Sequence, residues 1–462
     1  MGRLMVGVSG VRGEYPETLT DEIAKRFGRA FATLLASRAA AGHAVKIILG
    51  RDTRPSGAAL AEKISEGVQA GGVDVVDLGP VSTPGAALMI RTLGADGGIV
   101  VTASHNPLPY NGIKFMSPAG TNLPPDGVAA LRAIYDGGDF PAPARRGTQA
   151  VNGDTDAAHV AAVVKIVDVP AIAARRFKVV LDSINGAGGR SGVMLLKRLG
   201  CEVVHVNGEP TGQFAHAPEP IAANLDQLCR AVADSGADIG FAQDPDADRL
   251  VIADEAGRFI GEEYTLALTA AFFLSDPARR GDLATNLSTT RMIDDVAARA
   301  GVRVHRAAVG EVHVAAKMVE AGCVFGGEGN GGVMHPKVVM VRDSLTAMAL
   351  MLNYLAESGR RVSDLVADLP RYVMVKDKFP CPVAAAGEIL AAAQAALAGR
   401  SGAAVDTQDG LRVDLPDRWV HVRASNTEPI MRITAEAADA DAAGAIASEV
   451  RTISDNILSH KG

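Results

Sequence analysis

The chain has 462 residues, 48% of them hydrophobic and 21% charged, the composition of packed globular domains at a length that suggests roughly three of them. A net charge of -7 provides no basic stripe for nucleic acid, and the longest apolar stretches, such as 266–274, are too short to span a bilayer. Neither nucleic acid nor a membrane is expected as a partner. The opening MGRLMVGVSG lacks a signal peptide's apolar segment, and Cys201, Cys229, Cys323 and Cys381 lack metal-ligand spacing, so a cytoplasmic protein with reduced thiols is expected.

In chain order, GVSGVRGE (7–14) comes first; its glycines allow close backbone approach to an anion, with Arg12 a forked donor suited to phosphate. The apolar spacing over 20–41 predicts a helix, with Thr20 as its cap and Asp21 and Glu22 in the first turn. KIILGRDTRPSG (46–57), a helix through Leu60, Ile64 and Val68, and the run 73–79 then read strand, loop, helix, strand. Arg51, Asp52 and Arg54 in that loop are read equally well as local ion pairs or as part of a cleft. The β-branched run 98–102 predicts a buried strand, which delivers Ser104 into a loop broken by Pro107, Pro109 and Asn111-Gly112. A serine at a strand's end is a candidate nucleophile. Residues 136–154, rich in Gly, Pro and Ala, look like a linker.

The strand, helix, strand order recurs from KVVLDSINGAGG (178–189) to 208 and, less clearly, from 283 to 310. Between these copies lies QDPDADR (243–249), where Asp244, Asp246 and Asp248 can converge on one hard cation. Glu255 stands at the twelfth position, as an EF-hand would have it, but Arg249 occupies the sixth, where that loop needs glycine, and the flanks read as strands. VFGGEGNGGVMHP (324–336) is a loop of little bulk in which Glu328 and Asn330 are the hydrogen-bonding groups, a pair able to recognise sugar hydroxyls. A helix over 388–397 and a hairpin of 410–415 with 419–423 lead into RASNTEPIMR (423–432), where Arg423, Ser425, Asn426, Thr427 and backbone N–H groups can surround a phosphate.

These four motifs, in this order, resemble the α-D-phosphohexomutases, the family of phosphoglucomutase, phosphomannomutase and phosphoglucosamine mutase. TASHNP with Asn111-Gly112 and Lys114 is similar to that family's active-site loop, which implies that Ser104 carries a phosphoryl group. GVSGVRGE resembles its G-x-S-G-x-R-G, implying Arg12 near the transferring group. The acidic run resembles its D-G-D-G-D-R magnesium loop, with Pro245 and Ala247 where glycines often stand, and implies Mg2+ on Asp244, Asp246, Asp248 and an oxygen of Ser104, with Arg249 on the substrate side. GEGNGG resembles its sugar-binding loop G-E-x-S-G-H, but Asn330 and Gly332 replace Ser and His. That spelling matches an archaeal-type branch and removes a proton-transfer histidine; His335 is a substitute or, more plainly, a packing residue. R-x-S-N-T-E-P resembles the loop for the nonreacting phosphate, with Arg432 added to its donors.

The expected architecture is α/β in four domains, three related α/β domains with mixed sheets and a smaller α+β C-terminal domain around a central cleft. Their expected limits are 1–150, 151–253, 254–369 and 370–462. The expected activity is an isomerase interconverting hexose 6- and 1-phosphates through phosphoserine and a hexose 1,6-bisphosphate, with glucosamine phosphate as the sugar. The alternatives are glucose and mannose phosphates with broad specificity, a serine-nucleophile phosphatase, or a silent sugar-phosphate sensor. Lys114 is the candidate for proton transfer, its pKa lowered by desolvation and Arg12, and His105 positions the serine loop. A monomer or homodimer acting on a small sugar phosphate completes the expectation.

Overall fold

The computed structural model describes residues 4–7, 10–425 and 429–459. Its first sheet has, in spatial order, Met5–Gly7, Gly10–Glu14, Tyr110–Met116, Gly97–Val101, Lys46–Arg51, Asp74–Pro80 and Gln149–Val151. The last four of these run parallel, and the first three join antiparallel. Gly97–Val101 lies inside the sheet with all five residues buried, as its β-branched run predicts. The helix Asp21–Arg38 begins where its cap dictates, Ile23 N donating to Thr20 Oγ1 at 3.2 Å. The span expected to be a linker contains Gln149–Val151, a parallel edge strand on Asp74–Pro80, so a break after residue 150 would cut a strand. Its side chains are exposed and its pairing uses only backbone, so no periodicity advertised it.

The second sheet is ordered Leu250–Ala253, Ile239–Gln243, Lys178–Asp182, Glu202–Val206, and the third Gly332–Met334, Phe325–Glu328, Leu283–Asn286, Val304–Ala307. Strand for strand, both repeat the order Tyr110–Met116, Gly97–Val101, Lys46–Arg51, Asp74–Pro80 of the first, with three parallel strands and one antiparallel. In each case the turn into the antiparallel strand is a motif loop: 102–109, 244–249 and 329–331. The common topology thus delivers three chemically different loops from one structural position.

The fourth sheet is wholly antiparallel, in the order Val373–Pro380, Ile430–Ala437, Arg418–Ala424, Leu411–Asp414, Ala404–Asp406, and packs with helices Val383–Leu397 and Ala440–Ser459. Its motif loop again joins two antiparallel strands, Arg418–Ala424 and Ile430–Ala437. One continuous core runs through the first three units, from Ile48 and Val100 through Leu181 and Phe241 to Phe325 and Leu350. The fourth has a core of its own around Phe379, Ile389, Val420 and Ile433. No single helix among the described residues is long and apolar enough to cross a membrane.

Candidate active site

Ser104 enters the site with a left-handed backbone, φ 49°, a conformation that costs a non-glycine residue about 1 kcal/mol and has to be imposed by its surroundings. Thr102 and the RDTR loop impose it. Ser104 N donates to Thr102 Oγ1 at 2.9 Å, and that hydroxyl donates to Asp52 Oδ2 at 2.6 Å. Asp52 also binds Arg54, whose guanidinium donates to the carbonyls of Ser104 (2.5 Å), Asn106 (2.6 Å) and Tyr110 (2.9 Å). Arg54 is 1% exposed, so the charge is fully committed to shaping the serine loop. Both readings open for this loop hold: Asp52 and Arg54 form a buried local ion pair, and that pair shapes the serine loop.

Ser104 Oγ donates to Asp244 Oδ2 at 2.8 Å, joining the first sheet's loop to the second's. Asp244, Asp246 and Asp248 are all 0% exposed, and each presents an oxygen within 4.8 Å of the others. Asp244 Oδ1 accepts the N–H groups of Asp248 and Arg249, which closes the loop. One oxygen of each remaining aspartate is occupied: Asp246 Oδ2 by Thr83 Oγ1 and Lys114 Nζ, both at 2.6 Å, and Asp248 Oδ2 by Arg342 at 2.6 Å. Asp246 Oδ1 and Asp248 Oδ1 are buried without a hydrogen-bond partner. Burial, then Asp248 and Asp246, push the Asp244 carboxyl well above the usual range. A set of hard oxygen donors with buried lone pairs left over fits a divalent cation such as Mg2+. Ala247 has φ 55°, which explains why glycine suits the place where this chain carries alanine.

Lys114 is 6% exposed and sits 2.6 Å from Asp246 and 3.5 Å from Asp248. Burial disfavours its ammonium, but Asp246, Asp248 and Glu311 outweigh burial and hold its pKa above the ordinary lysine value. The expected lowering by burial and Arg12 is therefore corrected: Asp246, Asp248 and Glu311 dominate. His105 Nδ1 is 3.4 Å from Ser104 Oγ; burial, then Arg249 and Arg12, push its pKa down to about 2, so the ring stays neutral. Arg12 donates to Asn106 Oδ1 at 2.9 Å and so faces the serine loop, while Arg249 Nε lies 3.8 Å from Asp248.

Glu328 is 3% exposed and accepts from Asn286 Nδ2 and Arg342 Nη1, both at 2.7 Å. Asn330 presents a buried Oδ1 that lacks a partner. His335 is packed edge-on to Phe273 and Phe325 and its pKa is pushed down to about 4 by burial, which makes it a packing residue. On the fourth sheet Arg423 stands directly opposite Arg432 on the neighbouring strand, two like charges whose juxtaposition favours an anion between them. Ser425 N closes their loop on Ile430 O at 2.9 Å; Asn426 and Thr427 lie outside the described residues. Arg54, Thr83 and Arg342 are site residues that sequence reasoning did not select, and only the charges of the RDTR loop pointed toward one of them.

The chain matches the phosphoglucomutase/phosphomannomutase alpha/beta/alpha domains I, II and III over residues 3–142, 157–257 and 261–372, and that family's C-terminal domain over 372–453. It belongs to the phosphoglucomutase/phosphomannomutase family. It is thus an isomerase, an intramolecular phosphotransferase of the phosphohexomutase kind. It is 40% identical over 439 residues to a "Phosphoglucomutase/phosphomannomutase" of Thermococcus kodakarensis, covering 95% of each chain. It is also 40% identical over 432 residues to a "Probable phosphoglucosamine mutase" of Methanopyrus kandleri, covering 93% of each. Among solved structures, a phosphoglucomutase/phosphomannomutase family protein of Burkholderia thailandensis superposes with a TM-score of 0.85 at 28% identity, over 98% of each chain.

Proposed function

We propose that this phosphohexomutase converts glucosamine 6-phosphate and glucosamine 1-phosphate into one another through phosphorylated Ser104. The observation that carries the reading is the cluster of Ser104, three buried aspartates and Lys114, together with the arginine pair Arg423 and Arg432 on the fourth sheet. A phosphatase has little need of that second anion site.

Phosphorylated Ser104 donates to a hydroxyl of the hexose phosphate. The sugar oxygen bonds to phosphorus, the bond to Ser104 Oγ breaks, and the sugar's proton ends on that oxygen. The resulting hexose 1,6-bisphosphate turns end for end and returns its other phosphate to Ser104. Asp244, Asp246, Asp248 and an oxygen of Ser104 would hold Mg2+, which would supply neutralisation of charge on the transferring group. Arg12, Arg249 and Lys114 surround that group with fixed positive charge, a preorganised environment that needs no reorganisation during transfer. Glu328 and Asn330 orient sugar hydroxyls, and Arg423, Ser425, Asn426, Thr427 and Arg432 grip the idle phosphate. Exclusion of water protects the phosphoserine from hydrolysis. We place this chemistry in the cytoplasm.

The GEGNGG spelling and the relative from Methanopyrus kandleri favour glucosamine phosphate. A second reading, broad activity on glucose and mannose phosphates, is favoured by the equally similar relative from Thermococcus kodakarensis. A coupled assay with the three hexose 6-phosphates, Mg2+ and a trace of hexose 1,6-bisphosphate ranks them. Formation of a 1-phosphate that is lost in Ser104→Ala supports the mutase; free phosphate, or tight binding without turnover, overturns it in favour of a phosphatase or a sensor.

A further inference from the structure

Arg342 lies outside every motif that marks this site, yet its side chain binds three carboxylates in it. Its guanidinium donates to Asp248 Oδ2 at 2.6 Å, Glu328 Oε2 at 2.7 Å and Glu311 Oε2 at 3.1 Å, with the side chain 11% exposed. Asp248 belongs to the metal loop and Glu328 to the sugar-binding loop. Glu311 in turn accepts from Asn122 Nδ2 at 2.7 Å, tying in the first unit. The arginine cannot easily leave, because its own N–H also donates to Glu311 at 2.8 Å and the neighbouring Asp343 N donates to Val333 O at 2.9 Å.

The path of this side chain runs over Gly332. A Cβ placed on Gly332 would lie 2.1 Å from Arg342 Cδ and 2.6 Å from its Cγ, well inside van der Waals contact. Gly332 itself has no positive φ, so its backbone would accept any residue. The nearest atoms that a side chain would meet there all belong to the arginine. In the sugar-binding loop this is the place where the spelling of the chain departs from G-E-x-S-G-H by having glycine as its last residue. The departure and the arginine are therefore two halves of one arrangement.

We propose that Arg342 is a positioning residue that fills the volume vacated at Gly332 and holds the metal loop and the sugar-binding loop in register through Asp248 and Glu328. It binds Asp248 by one oxygen and leaves the other without a hydrogen-bond partner, and it binds Glu328 in the same grip. The proposal rests on the mutase reading of the same site. Lysine in its place could satisfy one of the three carboxylates but lacks the fork that spans all of them.

The test is a double-mutant cycle of Gly332→Ala, Arg342→Gly and the pair, with Arg342→Lys as a variant that keeps the buried charge. The readouts are kcat/KM with the best hexose 6-phosphate, the thermal midpoint, and Mn2+ affinity by electron paramagnetic resonance without sugar. Gly332→Ala and each Arg342 variant are expected to lose about tenfold or more in kcat/KM. Adding Gly332→Ala to Arg342→Gly is expected to change kcat/KM and Mn2+ affinity by less than about twofold, because the clash has gone. Additive losses overturn the proposal, as does wild-type kcat/KM in Arg342→Lys. Should Arg342→Gly fail to fold, Arg342→Lys with Gly332→Ala still decides: a folded Arg342→Lys of undiminished activity overturns it. If the native chain converts no hexose phosphate, the mutase reading fails by itself, and Mn2+ affinity across the cycle still gives the coupling of the two positions.

Discussion

Ser104 Oγ and Asp244 Oδ2 are 2.8 Å apart, and the bond between them joins loops carried by two different sheets. The acceptor is one of three buried carboxylates crowded together, and burial with its two neighbours raises its pKa. Function and stability are in conflict here. Asp244→Asn keeps an acceptor for the N–H groups of Asp248 and Arg249 and removes one repelling charge. In the presence of a chelator it is expected to gain about 1 kcal/mol of stability, read as a rise in thermal midpoint. Its turnover is expected to fall by about a thousandfold; a chelated variant that melts below the wild type would contradict the repulsion argument.

Arg54 touches no substrate in the proposed mechanism, yet it holds three carbonyls of the serine loop. Arg54→Lys can keep one of them. Steady-state kinetics are expected to show kcat lower by about ten- to a hundredfold, with KM moving much less, because the displaced group is the nucleophile. Equal changes in both constants would indicate a general collapse of the site instead.

Arg423 and Arg432 face each other across two strands of the fourth sheet. Arg423→Ala removes charge-assisted bonds worth about 1.5–3 kcal/mol, so KM for hexose phosphate is expected to rise about ten- to a hundredfold. The thermal midpoint without substrate should hold or increase, since a like-charge contact is relieved. Calorimetric titration with hexose 6-phosphate gives an independent check.

Glu263 lies in a cavity with Tyr264 and Lys376, accepts from Thr290 N at 3.1 Å, and touches Gly329 of the sugar-binding loop. Burial pushes its pKa from 4.5 up to about 8, against the pull of Lys376. The folded state binds the proton more tightly than the unfolded chain, so this group's contribution falls as pH rises from 4.5 toward 8. Glu263→Gln is expected to flatten the pH dependence of the thermal midpoint over that window and to be the more stable form at its upper end. Parallel melting curves of the two proteins at pH 5 and pH 8 would expose an unchanged slope.

Much of this was legible locally. The buried strand before Ser104, the alternating aspartates and the Thr20 cap are properties of a few adjacent residues, and each appears where the pattern puts it. Thr83 was not legible, because its bond to Asp246 joins positions 163 residues apart and a threonine at a helix start has an ordinary capping explanation. Arg342 was hidden for the same reason. For Lys114 the expected shift has the opposite sign, because Asp246 and Asp248, brought from the second sheet to 2.6 and 3.5 Å, are distant from it in sequence. Residues 149–151 escaped because an exposed edge strand has no buried face to write into its sequence.

The division of the hydrophobic cores has its own consequence. Three units share an apolar interior, whereas the fourth keeps its interior to itself and meets them through groups such as His421 on Ser288 and Asp409 on Val309 N. Moving the first three against one another would expose apolar surface to water, whereas moving the fourth would exchange hydrogen bonds for hydration. Under the proposed function, the arginine pair that would hold the idle phosphate therefore sits on the unit whose apolar core is its own. The nucleophile and its aspartates, by contrast, stand on two sheets that share one interior, so the catalytic cluster and the phosphate clamp are built on separately cored supports.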